Sequence, residues 1–409
     1  MKFLNHYFFE SQEPMSMSEA IFEIEKHLHQ HDGSVHFYYA KILEKLNVEN
    51  HYLHKIIKQL EIGYEKKDPL SMMLYAQYLH VESSPFFHPV KAYQVFLEAQ
   101  PMWMKLVREK DPFACQLYGI FLYKGTLMKK NIQEAIRYIE MAAKQTLLES
   151  YDTLFQLYQQ KGDFYNQEMS QSYLSLGVQA GDPLLLFKKA MLHLGKKEEF
   201  EAIYYLQKSA DLDLSHASFA LANIYIKQKE HEKAFFYMEK AATFDHPHAM
   251  YMLSLAYANG KGVIKDLDQS RFYLEKGASM QHVVSMNQLA MTLMKETPKD
   301  HIRIYDLLYQ ASLKKDPLAT YNLAMMYHLG DGLYQDDAKA FKLLDSIKQT
   351  QLPMVLYQLG VMLIEGKGTS KNETLGIQYV KKASEKKFKL ATEYLKRLES
   401  KKNQVTLYA

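Results

Sequence analysis

The chain cannot close a disulfide on itself, because its 409 residues include a single cysteine, Cys115. The same shortage removes any zinc site built on the cysteines of one chain, and a reducing compartment is the simpler setting. Glycine (17) and proline (11) are scarce, together about 7% of residues against roughly 12% in average usage. Excess charge is missing too: the formal net charge is +3, so no global field argues for nucleic acid or a membrane surface. No run of eighteen apolar residues occurs, and no transmembrane helix is expected. The stretch Met1 to Glu10 has one lysine and several aromatics, but Asn5, His6 and Glu10 interrupt any secretory apolar region. These absences predict a chain that works in the cytoplasm.

What is plentiful is Leu, Ala, Lys, Glu, Met and Gln, with 47% hydrophobic residues, the composition of a helical chain with a continuous core. Nothing divides it into compositional blocks. It repeats instead. Equivalent unit starts fall at Ser34, Pro69, Pro112, Leu148, Pro183, Ser215, Pro247, Val283, Pro317, Pro353 and Lys389. A small residue commonly sits two after the start, as in Ala114, Ser150, Ala217, Ala249, Ser285 and Ala319, and leucine sits six after it from Leu154 to Leu395 in seven units. Asp68-Pro69, Asp111-Pro112, Asp182-Pro183 and Asp316-Pro317 each place a capping carboxylate before proline at the first helical position, where a missing N–H is harmless.

A second helix keeps its own register, with small residues thirteen before the next start (Ala135, Ser170, Ala202, Ala234, Ser270, Ala340, Gly376) and seven further on (Ala142, Gly177, Ser209, Ala241, Gly277, Ala311, Ala383). Small residues at that spacing let helices approach closely. The loop between the two helices absorbs the length differences. Its long forms carry Gly125, Gly260 with Gly262, Gly330 with Gly332, and Gly366 with Gly368, which suit positive φ and helix termination.

At Ala249, Leu253, Tyr257, Gly260, Gly262, Val263, Asp266, Lys276 and Ala278 the sequence resembles a Sel1-like repeat protein, a family related to tetratricopeptide repeats. The likeness spans roughly residues 34 to 400; Ala217, Leu221, Tyr225, Ala234 and Tyr237 are closer to the tetratricopeptide spacing. Two units depart from the pattern. The one from Val283 has lost its loop glycines, and the one from Pro69 carries about seven extra residues around Ser83 to Gln100. The resemblance implies an all-α, right-handed solenoid of about ten stacked helix-turn-helix units. It divides the chain into an N-terminal capping segment (1–33), the repeats (34–388), and a C-terminal capping helix and tail (389–409). Ser16 and Glu19 form a capping box before a helix through Ile21, Ile24 and Leu28 that is expected to end at Gly33.

The resemblance also implies a bacterial adaptor with no catalytic activity and no cofactor, whose first helices line a concave face. Four residues after each start the series runs Phe187, Phe219, Tyr251, Asn287, Tyr321 and Tyr357, flanked by Met252, Gln288, Asn322 and Gln358. Such a ladder suits an extended or helical peptide, rings burying apolar side chains and amides meeting its backbone. The same rings could instead pack between helices. The expected partner is a protein or peptide bound along this face; the alternative is a dedicated inhibitor or immunity-type protein that sequesters one effector. No membrane or nucleic-acid partner is expected, and nothing in the sequence signals an oligomeric state.

Other candidates are weaker. His27 and His31 share a helical face, with His29 and His36 nearby, but no carboxylate or cysteine completes a metal pattern. The lysines from Lys381 to Lys402 read as the solvated face of a closing helix. Gly366-Lys-Gly-Thr-Ser370 lacks the order of a phosphate loop. Cys115 lies among apolar neighbours and reads as buried and inert. Trp103, with Phe86 and Phe87, reads as local core or as a second contact surface. A pocket with converging polar groups and a perturbed pKa would reopen the question of an enzyme.

Overall fold

The computed structural model of the protein describes residues 4–407 except 12, 29–31 and 47–50, with side chains described to residue 400. Among these residues the regular elements are helices, with one isolated bridge between Phe9 and Leu147. A helix begins at each of the eleven expected starts. The cap chemistry explains several of them: Asp68, Asp111, Asp182 and Asp316 accept from the backbone N–H of Ser71, Ala114, Leu185 and Ala319 at 2.6–2.8 Å.

The chain divides into two compact units, Met1–Ala249 with Gly260–Ile264, and Met250–Asn259 with Lys265–Ala409. The first holds short N-terminal helices, Asn5–Phe8 and Met17–Glu25, and then six helix pairs. Pair 1 is Ser34–Leu46 with Leu53–Glu65, pair 2 Pro69–Leu79 with Pro89–Arg108, and pair 3 Pro112–Lys124 with Ile132–Ala143. Pair 4 is Leu148–Gln159 with Gln167–Gln179, pair 5 Pro183–Gly195 with Glu199–Asp211, and pair 6 Ser215–Lys227 with His231–Thr243. The second unit holds most of pair 7 (Pro247–Asn259 with Leu267–Ser279), pair 8 (Val283–Leu293 with His301–Leu313), pair 9 (Pro317–Leu329 with Asp337–Ser346) and pair 10 (Pro353–Glu365 with Glu373–Glu385), and the closing helix Lys389–Leu407. The two helices of a pair pack on each other, and within each unit successive pairs stack side by side. The fold is an all-α solenoid.

The loop glycines do two jobs. Gly125, Gly330 and Gly366 end first helices in the left-handed conformation, φ near +70°. The second glycine of a long loop lies against the first residue of the preceding pair's second helix. A Cβ at Gly262 would stand 2.2 Å from the His231 carbonyl oxygen, and one at Gly368 2.0 Å from that of Asp337. Close approach, rather than ligand binding, accounts for these positions.

One expectation is corrected. The Ser16/Glu19 capping box forms, but its helix ends at Glu25, short of Leu28 and Gly33. The His27 N–H turns back to the Ile24 carbonyl at 2.9 Å and tightens the last turn. Gly33 serves a different contact, since a Cβ there would lie 2.8 Å from Asp68 Cβ. In pair 2 the extra residues lengthen the second helix to 20 residues, with Pro101 inside it. Trp103 is fully buried there against Tyr118 and Phe121, ring centroids 5.3 and 5.4 Å away. It is core.

Candidate functional site

In the second unit the first-helix ladder is partly open to solvent: Tyr251, Met252, Asn287, Gln288, Tyr321, Asn322 and Tyr357 are half-buried, and Gln358 is buried. Two of the rings also pack toward the following helices, Tyr251 6.2 Å from the His282 ring and Tyr357 5.6 Å from Phe388. Burial raises the Tyr321 and Tyr357 hydroxyls above the ordinary phenol range. Asn322 Nδ2 donates to Asn287 Oδ1 at 2.9 Å, tying the amides of pairs 8 and 9. In the first unit Phe187 and Phe219 are half-buried at the same register, Phe219 stacked on His246 at 4.5 Å.

Further toward the N-terminus that register is mixed, with Asp152 in pair 4, Gln116 in pair 3, Met73 in pair 2 and Tyr38 in pair 1. Asp152 of pair 4 receives Lys188 of pair 5 in an ion pair, and Gln116 of pair 3 donates to Thr153 at 2.7 Å. Lys41 of pair 1 meets Glu44 at 2.7 Å and Glu149 of pair 4 at 3.0 Å. Burial alone would lower the Lys41 ammonium, but the two carboxylates outweigh it and hold it above its usual range. Asp182, the pair 5 cap, is 1% exposed; burial pushes its carboxyl up to about 6 against the pull of Lys45 and of backbone N–H donors. These groups line a pocket of about 370 Å³.

The N-terminal segment spans the same helices. Tyr7 and Phe8 are buried, Phe8 edge-on to Phe113 at 5.3 Å, with the Lys45 ammonium 4.6 Å from the Tyr7 ring centre. Burial, and then the carboxylates of Asp182, Asp213 and Glu149, drive the Tyr7 hydroxyl far above its normal range. From there the chain passes the turns that precede successive first helices. Glu10 N–H donates to the Thr146 carbonyl at 3.0 Å, Pro14 lies beside Gly181, and Ser18 donates from Oγ (2.5 Å) and N–H (3.2 Å) to Asp213 Oδ2. Pairs 3 to 6 are thus strapped by residues 4–18.

The second-helix side of the second unit opens into a pocket of about 680 Å³ between pairs 8 and 9. Tyr305 and Tyr309 stack on its wall, centroids 5.6 Å apart. The Tyr327 hydroxyl donates to Tyr305 at 3.4 Å, and Lys339 Nζ stands 4.3 Å above the Tyr327 ring. Burial would raise Tyr327, but Lys339 draws it below its ordinary value. Of this pocket's lining, Pro317 and Leu323 stood out in the sequence, as a unit start and as part of the leucine register. The one available sign of the opening was the run of small residues in second helices, which gives way to Ile347 in pair 9.

The remaining candidates fall into place around these surfaces. Cys115 is buried and its thiol is pushed up to about 11 by burial. His29, His31 and the side chains of Lys401 and Lys402 lie outside the described residues. Among the described residues no group of three or more His, Cys, Asp or Glu side chains is arranged to hold a metal, and no helix is long and apolar enough to cross a membrane. Lys381, Lys382, Lys386, Lys387, Lys389 and Lys396 are solvent-exposed.

The Sel1 repeat matches residues 112–147, 190–214, 217–243, 247–282, 317–346 and 353–388. No curated protein sequence matches the chain. Among solved structures, a protective antigen of uropathogenic Escherichia coli strains superposes with a TM-score of 0.62 at 18% identity, covering 98% of this chain and 86% of the antigen. A Sel1 repeat protein from Oxalobacter formigenes gives 0.51 at 21% identity, covering 81% of this chain and 94% of the other. At these identities the likeness is one of fold.

Proposed function

Because the chain belongs to the Sel1-like repeat proteins, a family that generally mediates protein–protein interaction, we propose that it is a non-enzymatic scaffold that holds a protein or peptide partner on the first-helix face of its second unit. The observation that carries this is the recurrence of half-exposed rings and amides at one position of successive first helices, Tyr251 with Met252, Asn287 with Gln288, Tyr321 with Asn322 and Tyr357. A ring braced along one edge is a rigid apolar contact that loses little entropy on binding. The neighbouring amides offer donors and acceptors to a bound backbone. In the first unit residues 4–18 already span the ends of the corresponding helices, which favours the second unit as the docking face.

The test is affinity capture from native lysate with two independent variants. Tyr251→Ala with Tyr321→Ala removes two rings; Met252→Lys with Gln288→Lys adds charge at half-exposed positions and leaves the rings in place. Both are expected to lose the partner while far-UV circular dichroism is retained. Capture that survives in both variants sinks the reading. Capture lost only with the rings, together with a steep fall in melting temperature, would assign the rings to core packing instead.

A further inference from the structure

The pocket between pairs 8 and 9 is lined by the second helices of both pairs and by the first helix of pair 9, where the repeat has a local break. In most other second helices a small residue occupies the point of closest approach to the following pair, pair 2 having Leu106 there. At Gly277 an added Cβ would stand 2.5 Å from Ser285 Oγ, and at Gly177 2.0 Å from Leu185 Cδ1. Pair 9 has Ile347 there. The helix stops at Ser346. The chain then makes a short 3-10 turn, Lys348–Thr350, and reverses at Gln351 with φ +55°. The missing last turn leaves the opening.

Its lining has a definite chemistry. Leu313, Leu323, Leu343 and the stacked rings of Tyr305 and Tyr309 supply apolar walls, and the charged side chains are Lys315 and Lys339. The hydroxyls of Ser312, Thr320, Ser346 and Thr350 donate to backbone carbonyls. The Tyr327 proton is given to Tyr305. The donors left to meet a ligand are the two ammonium groups, the phenols of Tyr305 and Tyr309 and the exposed Gln349 amide. A volume of about 680 Å³ is that of a small-molecule site.

We propose that this pocket binds a small organic anion, a carboxylate or phosphate carried on an aromatic or aliphatic body. The body lies against the tyrosine faces and leucines, and the anionic head sits between Lys339 and Lys315. No nucleophile with an adjacent base lines the pocket, so the site holds its ligand without transforming it.

Isothermal titration calorimetry on the full chain tests this with indole-3-acetate and phenyl phosphate, each against a neutral counterpart, indole-3-acetamide and phenol. At least one anion is expected to bind saturably, with its neutral counterpart and the variants Lys339→Gln and Lys315→Gln each weaker by at least about tenfold. Leu343→Trp, which fills the cavity, is expected to abolish binding, and circular dichroism of every variant checks that the fold persists. Equal binding of anion and neutral counterpart, or unchanged affinity in both lysine variants, overturns the anion assignment. Absence of saturable binding by either anion at 10 mM, a ceiling on the order of the weakest specific affinities, overturns the site.

Discussion

At the scale of single residues, Asp182 shows how one side chain can serve a helix and burden the core. It caps the first helix of pair 5 through the Leu185 N–H, yet it is 1% exposed and its carboxyl is raised to about 6. Raised in the folded state, the group favours folding only while protonated. That contribution is complete below the unfolded value near 4 and is lost as pH rises through about 6. Asp182→Asn keeps a capping oxygen and removes the buried charge. Urea denaturation of the first unit should show a gain of up to about 3 kcal/mol at pH 7.5 and none at pH 4. An equal gain at both values would mean that burial of the charge is not what sets this residue's energetics.

At the scale of elements, the two helices of pair 10 cross at glycines. A Cβ on Gly376 would stand 2.6 Å from the Gly360 carbonyl oxygen, whereas one on Gly195, at the end of a first helix, meets nothing within 4 Å. Gly195→Ala should therefore stabilise by about 0.5–1 kcal/mol, the ordinary helical preference. Gly376→Ala should destabilise by about 1–3 kcal/mol, because backbone rather than a flexible side chain must yield. Thermal melting of the two variants distinguishes these outcomes, and a gain at Gly376 would refute the close crossing. Much of this level was legible in the sequence. The Asp-Pro pairs gave helix starts because capping is local chemistry, and the small residues gave the second-helix register because close packing excludes bulk. The ladder's position was legible for the same reason, while its half-burial was not, since that depends on what the following pair places beside each ring. The pocket of pair 9 escaped notice because it arises where the pattern stops, at Ile347.

At the scale of the molecule, repeat arrays are held by contacts between neighbours, and the first unit departs from that rule. Lys41 of pair 1 joins Glu149 of pair 4, and Ser18 reaches Asp213. Neither link joins neighbouring pairs: Lys41 reaches from pair 1 to pair 4, and Ser18, ahead of the first repeat, finds its partner in a turn far along the chain. Lys41→Met leaves Glu149 and Glu44 without their buried cation, and should destabilise the first unit by about 3–5 kcal/mol in chemical denaturation. Adding Glu149→Leu, which replaces the long-range pair by apolar groups, should recover much of that loss. If the double variant is no better than the single one, the tie between pairs 1 and 4 is not the source of the effect.

The strap has a consequence in time. Tyr7, Phe8 and Phe9 leave the ribosome well before Leu147, Gly181 and Asp213 exist to receive the segment that carries them. At about 5–20 residues per second, the interval before Asp213 is made is on the order of 10–40 s. An aromatic cluster translated long before the turns that receive it is among the last to find its seat, and during that interval it is the natural handle for a chaperone.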